Sequence, residues 1–471
     1  MKNIITHTRW EILPAPFAKE GACRPVGRVP FCEGACQSDT PPFRKGPGIS
    51  SCLIISILYV LSALFSASLP AQAADKLTIS RFLATAREDH QLQNHAELVG
   101  YVDGAAYEST SYFDKIEFRT ETGEFDIAKQ KYALRFYPKT RDEIRCGSKV
   151  AETSRKAVRA EHRVLFNRAL QNRYGLVLDF LETRTLISTK KELLTVCDDR
   201  ITVLRKMSVS GLSSDVGTLV SAEEQYVALR MELVELDNKI NGITEEIRTI
   251  AGYPAEIGFD EKDLIGPERI GEMIPDLRAV PNPDNISLRD QRLKTELAET
   301  EYMLERSKNK RFLNFFKLGY DAGDSDEPKR AFSVEVGFSL PFGDSGTKDT
   351  TRRKKSYLKE KLKYENEKRR VSEKVRELST SLERLIPQYR ILVSQKSDSN
   401  AEISFRKYMK MEGINPLILL KIRESILKSG VRLIQIGYLI RRQYIELMNM
   451  TDRLSEDPLK NHISANTEDI P

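Results

Sequence analysis

Short stretches with a period of two alternate along this chain with very long stretches at the helical period. In residues 332–340, Phe332, Val334, Val336, Phe338 and Leu340 share one face, while Ser333, Glu335, Gly337 and Ser339 share the other, the alternation of a strand with one apolar side. Tyr132, Leu134 and Phe136 repeat it against Lys131, Ala133 and Arg135. Each run has an upstream partner, so strands are expected at about 112–120 and 130–137, and again at about 311–321 and 331–341. The first pair carries Asp114, Lys115, Glu117, Arg119 and Glu121, which leaves it a narrow apolar band.

A proline, Pro138 or Pro341, follows each returning strand, and charged sequence with a helical seam follows each proline. Val371, Val375, Leu378, Leu382, Leu385, Tyr389 and Leu392 recur at spacings of four and three, a seam that packs on other helices. Helices are expected over 139–209 and 347–411, each reaching about 100 Å at about 1.5 Å per residue, with Pro387 bending the second locally.

The pattern occurs twice. Pro138 and Pro341 lie 203 positions apart, Gly211 stands 73 residues after the first and Gly413 72 residues after the second. A further helix follows each glycine, at 214–251 and 416–450. A tandem duplication accounts for this: a first repeat over 74–252, a linker over 253–284, a second repeat over 285–452 and a polar tail over 453–471. A strand of about 9–11 residues with one apolar face suits a transmembrane barrel, and equally a hairpin packed on the helices of a soluble protein. In lipid every backbone polar group needs a partner, so four strands per chain would require further copies to close a barrel.

Composition adds a constraint on shape. With 30% charged and 40% hydrophobic residues, the chain suits long helices with narrow seams. The 74 basic and 68 acidic residues are interspersed, so nucleic acid is not implied as a partner. Residues 53–69, LIISILYVLSALFSASL, preceded by Arg44 and Lys45 and followed by Ala71-Gln72-Ala73, have the form of a signal peptide, which makes 1–73 a long leader. Cys23, Cys32, Cys36 and Cys52 fall in that leader without the spacing of a zinc site. Cys146 and Cys197 lie 51 positions apart on one expected helix, roughly 75 Å, and are expected to be free thiols.

Candidate chemistry is sparse. DAGDSDEPKR (321–330) lacks the ligand order of a calcium loop, and GPERIGEM (266–273) has Glu272-Met273 where a phosphate loop needs Lys and Ser or Thr. The five histidines form no metal or catalytic motif, so no enzyme, cofactor or metal is expected. Arg352, Arg353, Lys354 and Lys355, just beyond the last strand, suit either phospholipid headgroups or a solvated helix face.

The duplicated order of helix, two strands, long helix, glycine-containing turn and helix, together with NPDNISLRDQRLKTELAETEYMLERSKNKRF, VEVGFSLPFGD, GLSSDVGTL and GINPLILL, resembles the TolC-like outer-membrane efflux proteins (outer-membrane factors) over about 76–452. The resemblance implies a mainly α fold with a small β-barrel portion, in which three chains build an α-barrel and a twelve-stranded membrane β-barrel. It implies a homotrimer in the bacterial outer membrane, in contact with its lipid, and extending into the periplasm. There it would meet a periplasmic adaptor (membrane fusion) protein and an inner-membrane transporter of an efflux or type I secretion system. By the same resemblance Gly211, Leu212, Ser213 and Ser214, and Gly413, Ile414, Asn415 and Pro416, are adaptor-docking tips, and Pro138 and Pro341 are barrel-to-helix junctions. The family's acidic entrance pair is replaced by Leu419 and Ile422, which suit either a hydrophobic constriction or coiled-coil core. The rival is a soluble or peripheral periplasmic coiled-coil adaptor or scaffold, which would carry one helical hairpin rather than two copies.

Overall fold

The computed structural model describes residues 76–104, 111–122, 130–210, 216–252, 256–278, 285–321, 331–339, 347–397, 403, 407, 415–465 and 468–470. They belong to the compact unit Ala73–Pro471. The leader, with the expected signal peptide, lies outside the described residues.

Four strands are present, β1 (Phe113–Thr122), β2 (Gln130–Pro138), β3 (Leu313–Asp321) and β4 (Phe332–Phe338), in one antiparallel sheet of order β1-β2-β3-β4. The two expected hairpins are therefore fused, because β2 of the first repeat pairs with β3 of the second from Lys131↔Asp321 to Phe136↔Phe316. The helices are α1 (Ile79–Ala84), α2 (His90–Asp103), α3 (Arg141–Val209), α4 (Val216–Ala251), α5 (Pro267–Arg278), α6 (Ile286–Lys308), α7 (Thr347–Ser397) and α8 (Pro416–Met450).

The long helices follow from their seams and caps. Thr140 accepts a hydrogen bond from the Glu143 amide at 3.2 Å, and Asp142 and Glu143 in the first turn of α3 suit the positive end of the helix dipole. From there 69 residues run unbroken, about 100 Å at about 1.5 Å per residue. On α7, Val371, Leu378 and Leu382 are buried, Val375, Leu385 and Tyr389 pack beside them, and the helix continues through Pro387. It is described to Ser397, short of the expected 411, and residues 398–402 lie outside the described set. Cys146 and Cys197 are free on α3, Cys197 buried and Cys146 half-buried.

In the main core, Leu170, Tyr174, Val177 and Leu181 of α3 meet Ile440, Tyr444 and Leu447 of α8 and Ile270 and Ile274 of α5. Two segments depart from expectation. The linker contains α5 and buries Phe259, Leu264 and Ile265 in this core. The segment expected as a polar tail buries Leu454, Leu459, Ile463 and Ile470 in the same cluster. It is held there by the Ile265 amide donating to the Ile463 carbonyl at 2.7 Å and the Tyr174 hydroxyl donating to the Lys460 carbonyl at 2.9 Å. Four isolated apolar residues in a polar background have no period to announce them, yet each supplies roughly 1.5–3 kcal/mol when fully buried.

Candidate membrane sheet and conduit ends

Register across the four strands sorts the side chains into two unlike faces. Thr120, Tyr132, Tyr320 and Phe332 align in one row, Phe118, Leu134, Leu318 and Val334 in the next, and Ile116, Phe136, Phe316 and Val336 in the third. This face lies open: Phe118 is 64% exposed, Phe332 71%, Val334 66% and Leu318 43%. Aromatic contacts gather near its two ends, Tyr320 with Phe332 (5.1 Å between centroids) at one and Phe312 with Phe338 (5.0 Å) at the other.

The opposite face is polar and internally paired. Glu117, Arg135, Lys317 and Glu335 stand in one row across all four strands, with Lys317 Nζ 2.9 Å from Glu335 Oε2 and the Tyr137 hydroxyl donating to Glu117 at 3.2 Å. A second row joins Lys131 to Asp321 at 2.8 Å. The Arg135 guanidinium lies 4.2 Å over the Phe315 ring, and that ring covers Gly337, where a Cβ would stand 2.2 Å from Phe315 Cε1. Gly337 is thus required by close approach, a strand glycine roofed by an aromatic neighbour.

Where the sheet gives way to helices, both repeats are clamped together. Arg311, just before β3, reaches the Glu143 carboxylate in the first turn of α3 at 2.5 and 3.0 Å, and Asp114 of β1 at 3.3 Å. Glu143 is buried and Arg311 nearly so. Pro138, the first expected junction, is the last residue of β2 and pairs with Phe113. Pro341 lies outside the described residues, three positions after the end of β4.

At the far end, Gly211–Ser214, Gly413 and Ile414 lie outside the described residues. Asn415 caps α8 by accepting from the Leu417 amide at 2.9 Å, and Pro416 occupies the first turn, where its missing N–H costs nothing. Leu419 and Ile422 are both half-buried on α8, and Leu417 packs against the Ile201, Leu204 and Ala222 cluster. The structure adds a pair that periodicity missed: buried Glu424 of α8 receives Arg200 of α3 at 3.1 Å and Lys428 at 2.5 Å. Arg200 precedes Gly211 by eleven residues and Glu424 follows Gly413 by eleven, a symmetry readable once the duplication is recognised.

Packing order across the helices leaves two edges. α3 contacts α2, α4, α6 and α8, whereas α7 contacts α5, α6 and α8, and α4 packs chiefly on α3. On α4, Val220, Val227, Met231 and Val234 form an exposed seam at spacings of seven, four and three. The edges differ in charge: α7 has sixteen basic and seven acidic residues, α4 three basic and seven acidic. Among the described residues no group of three His, Cys, Asp or Glu side chains is placed to hold a metal. No described helix is long and apolar enough to cross a membrane.

Four strands in one two-faced antiparallel sheet, joined to long packed helices, define the architectural class of this chain. Among solved structures it is similar to the outer-membrane channel OprN (TM-score 0.58, 11% identity, covering 79% of this chain and 89% of that one). It is similar too to the outer membrane protein VceC of Vibrio cholerae (0.56, 14%, 79% and 95%) and the CmeC outer membrane channel of Campylobacter jejuni (0.56, 12%, 80% and 87%). No protein-family model and no curated protein matches the sequence. The chain has the TolC-like outer-membrane channel fold, mostly helical with a small antiparallel sheet.

Proposed function

We propose that the protein is an outer-membrane exit duct, a homotrimer that carries substrates from a periplasmic adaptor and an inner-membrane transporter across the outer membrane. The observation that carries this is the sheet: an open apolar face backed by a polar face that carries ion pairs. Apolar rows with aromatic residues at both ends suit lipid, and the row Glu117, Arg135, Lys317 and Glu335 suits a water-filled lumen, with Ser333, Gly337 and Ser339 on the same side. Among the described residues β1 and β4 each have one strand neighbour. In lipid those free edges demand partners, and three copies of four strands close a twelve-stranded barrel. The exposed α4 seam and the opposite charges of α4 and α7 favour the same head-to-tail closure.

The turns at Gly211–Ser214 and Gly413–Pro416 are the adaptor-docking tips of this reading, and Leu419 and Ile422 line its entrance. The deciding experiment is fractionation of cells expressing the chain. A heat-modifiable trimer that needs detergent and sediments with the outer membrane is the expected outcome, whereas a soluble periplasmic monomer would overturn the reading in favour of a coiled-coil scaffold. For the tips, Gly211→Pro and Gly413→Pro are expected to abolish adaptor crosslinking with the trimer intact, and normal crosslinking in both variants would remove the docking assignment.

A further inference from the structure

We propose that the helix ends directly beneath the sheet form a basic collar that binds the phosphates of anionic phospholipid headgroups. The proposal rests on the sheet lying in the membrane.

Three contacts bring these helix ends to one level. Asn309, at the end of α6, donates to Thr350 in the first turn of α7 at 2.5 Å; Arg353 of α7 reaches Glu301 of α6 at 2.6 Å; and Arg311 joins Glu143 of α3. Around them Arg306 from α6, Lys310 two residues past its end, and Lys348, Lys354 and Lys355 from α7 are all exposed. Some neighbouring cations are matched, Lys308 by Glu305 at 3.3 Å and Arg352 by Asp349 at 3.5 Å. The five named residues make no ion pair among the described residues, so the level keeps a surplus of positive charge.

What covers this surface is argued from its neighbour. Phe312 follows Lys310 by two residues, is 57% exposed, and meets the equally exposed Phe338 ring in a tilted contact at the same end of the sheet. Exposed aromatic rings at the rim of an apolar face mark the depth of the lipid headgroups, and cations a turn or two beyond them fall at the depth of the phosphates. Lys354 and Lys355 stand seven and eight residues into α7, about 12 Å along its axis, within reach of that layer on flexible stems. Exposed cations continue along α7 at Lys361, Lys368 and Arg369, so what sets this level apart is its place beside the aromatic rim of the apolar face.

The test uses the full-length trimer in nanodiscs of equimolar phosphatidylglycerol and phosphatidylcholine, with the retained lipid quantified after a mild detergent wash. The wild type is expected to retain phosphatidylglycerol over phosphatidylcholine by about tenfold, consistent with roughly fivefold per basic residue near an anionic surface, partly screened. The preference should fall in 0.5 M salt, about a 4 Å screening length. The variant Lys310→Glu/Lys354→Glu/Lys355→Glu is expected to lose it while remaining trimeric, and Lys239→Glu/Lys421→Glu, at helix positions far from the sheet, to keep it. Retention of the preference by the triple variant, or its absence in the wild type, overturns the collar while leaving the membrane reading intact. Failure of the wild type to insert into these nanodiscs overturns both.

Discussion

Leu318→Arg separates a membrane sheet from a solvent-exposed one by the size of its effect. Leu318 sits between Leu134 and Val334 in the middle of the three apolar rows, one row from the aromatic residues on either side. In one protomer it is 43% exposed, so in water the substitution removes little packing and falls within about 0.5 kcal/mol of neutral. At the midplane of a bilayer an arginine on the lipid face of a barrel costs about 2–4 kcal/mol, roughly 30- to 700-fold in the folding equilibrium. If the barrel is trimeric the change is present three times at one depth. The assay is urea titration of protein folded into short-chain phosphatidylcholine vesicles, followed by the loss of heat-modifiable mobility. Ser333→Arg, on the opposite face of β4, serves as the control because a lumen substitution leaves the lipid contact unchanged. A loss for Leu318→Arg under 1 kcal/mol, or equal losses for the two variants, would refute the assignment of faces.

Arg311→Ala removes the partner of buried Glu143 and is expected to cost about 3–5 kcal/mol in thermal unfolding, with Glu143→Gln restoring part of it in the double variant. Gly337→Ala drives a methyl into the Phe315 ring and displaces it from Arg135, so a marked loss of heat-stable trimer is expected, relieved by Phe315→Leu. Burial lifts the Asp452 carboxyl to about 6, and burial with Lys460 nearby holds the His462 imidazole at about 4. Asp452 therefore adds stability as pH falls from about 6 toward 3.8, while His462 removes stability as pH falls from 6.5 toward 4, and the two oppose over the shared window. Asp452→Asn, which tolerates the φ of +65° there, should leave a melting temperature that drops from pH 6.5 to 4, and His462→Gln one that rises from pH 6 to 4; identical slopes in the two variants would contradict this.

The alternation of the strands was legible because it recurs over many residues. Phe332, Val334 and Val336 announce their shared face without neighbours, and β4 forms over them. The fusion of the hairpins into one sheet was not legible, since β2–β3 pairing joins residues almost two hundred positions apart and no local pattern encodes it. The packing of Leu454, Leu459, Ile463 and Ile470 was hidden for a related reason: spacings of five, four and seven in an irregular segment sustain neither period, and only the core cluster they join gives them a place. Buried charges such as Glu143, Glu424 and Arg173 escaped because charge in a helix rich in it looks solvated until its partner, on another repeat or another helix, is known.

Polar contacts tie the first half of the chain to the second at several levels. Arg311 with Glu143 joins them beside the sheet, Asn449 with Gln171 (2.7 Å) and Arg442 with Asp179 and Glu182 join them midway, and Arg200 with Glu424 joins them near the turns. From Glu143 to Arg200 is a rise of roughly 85 Å along α3, so ties recur over most of that helix. The ties are not equal. Glu424 is 9% exposed and has cations on two sides, whereas Asp179 is 37% exposed and exchanges more readily with water. Separating α8 from α3 near the turns would leave a buried carboxylate without its arginine, a cost of about 3–5 kcal/mol unless Lys428 and water replace it. Movement at that end would have to break this ion pair and part Leu417 from Ile201, Leu204 and Ala222, while the shared sheet and the core beneath it hold the other end in register.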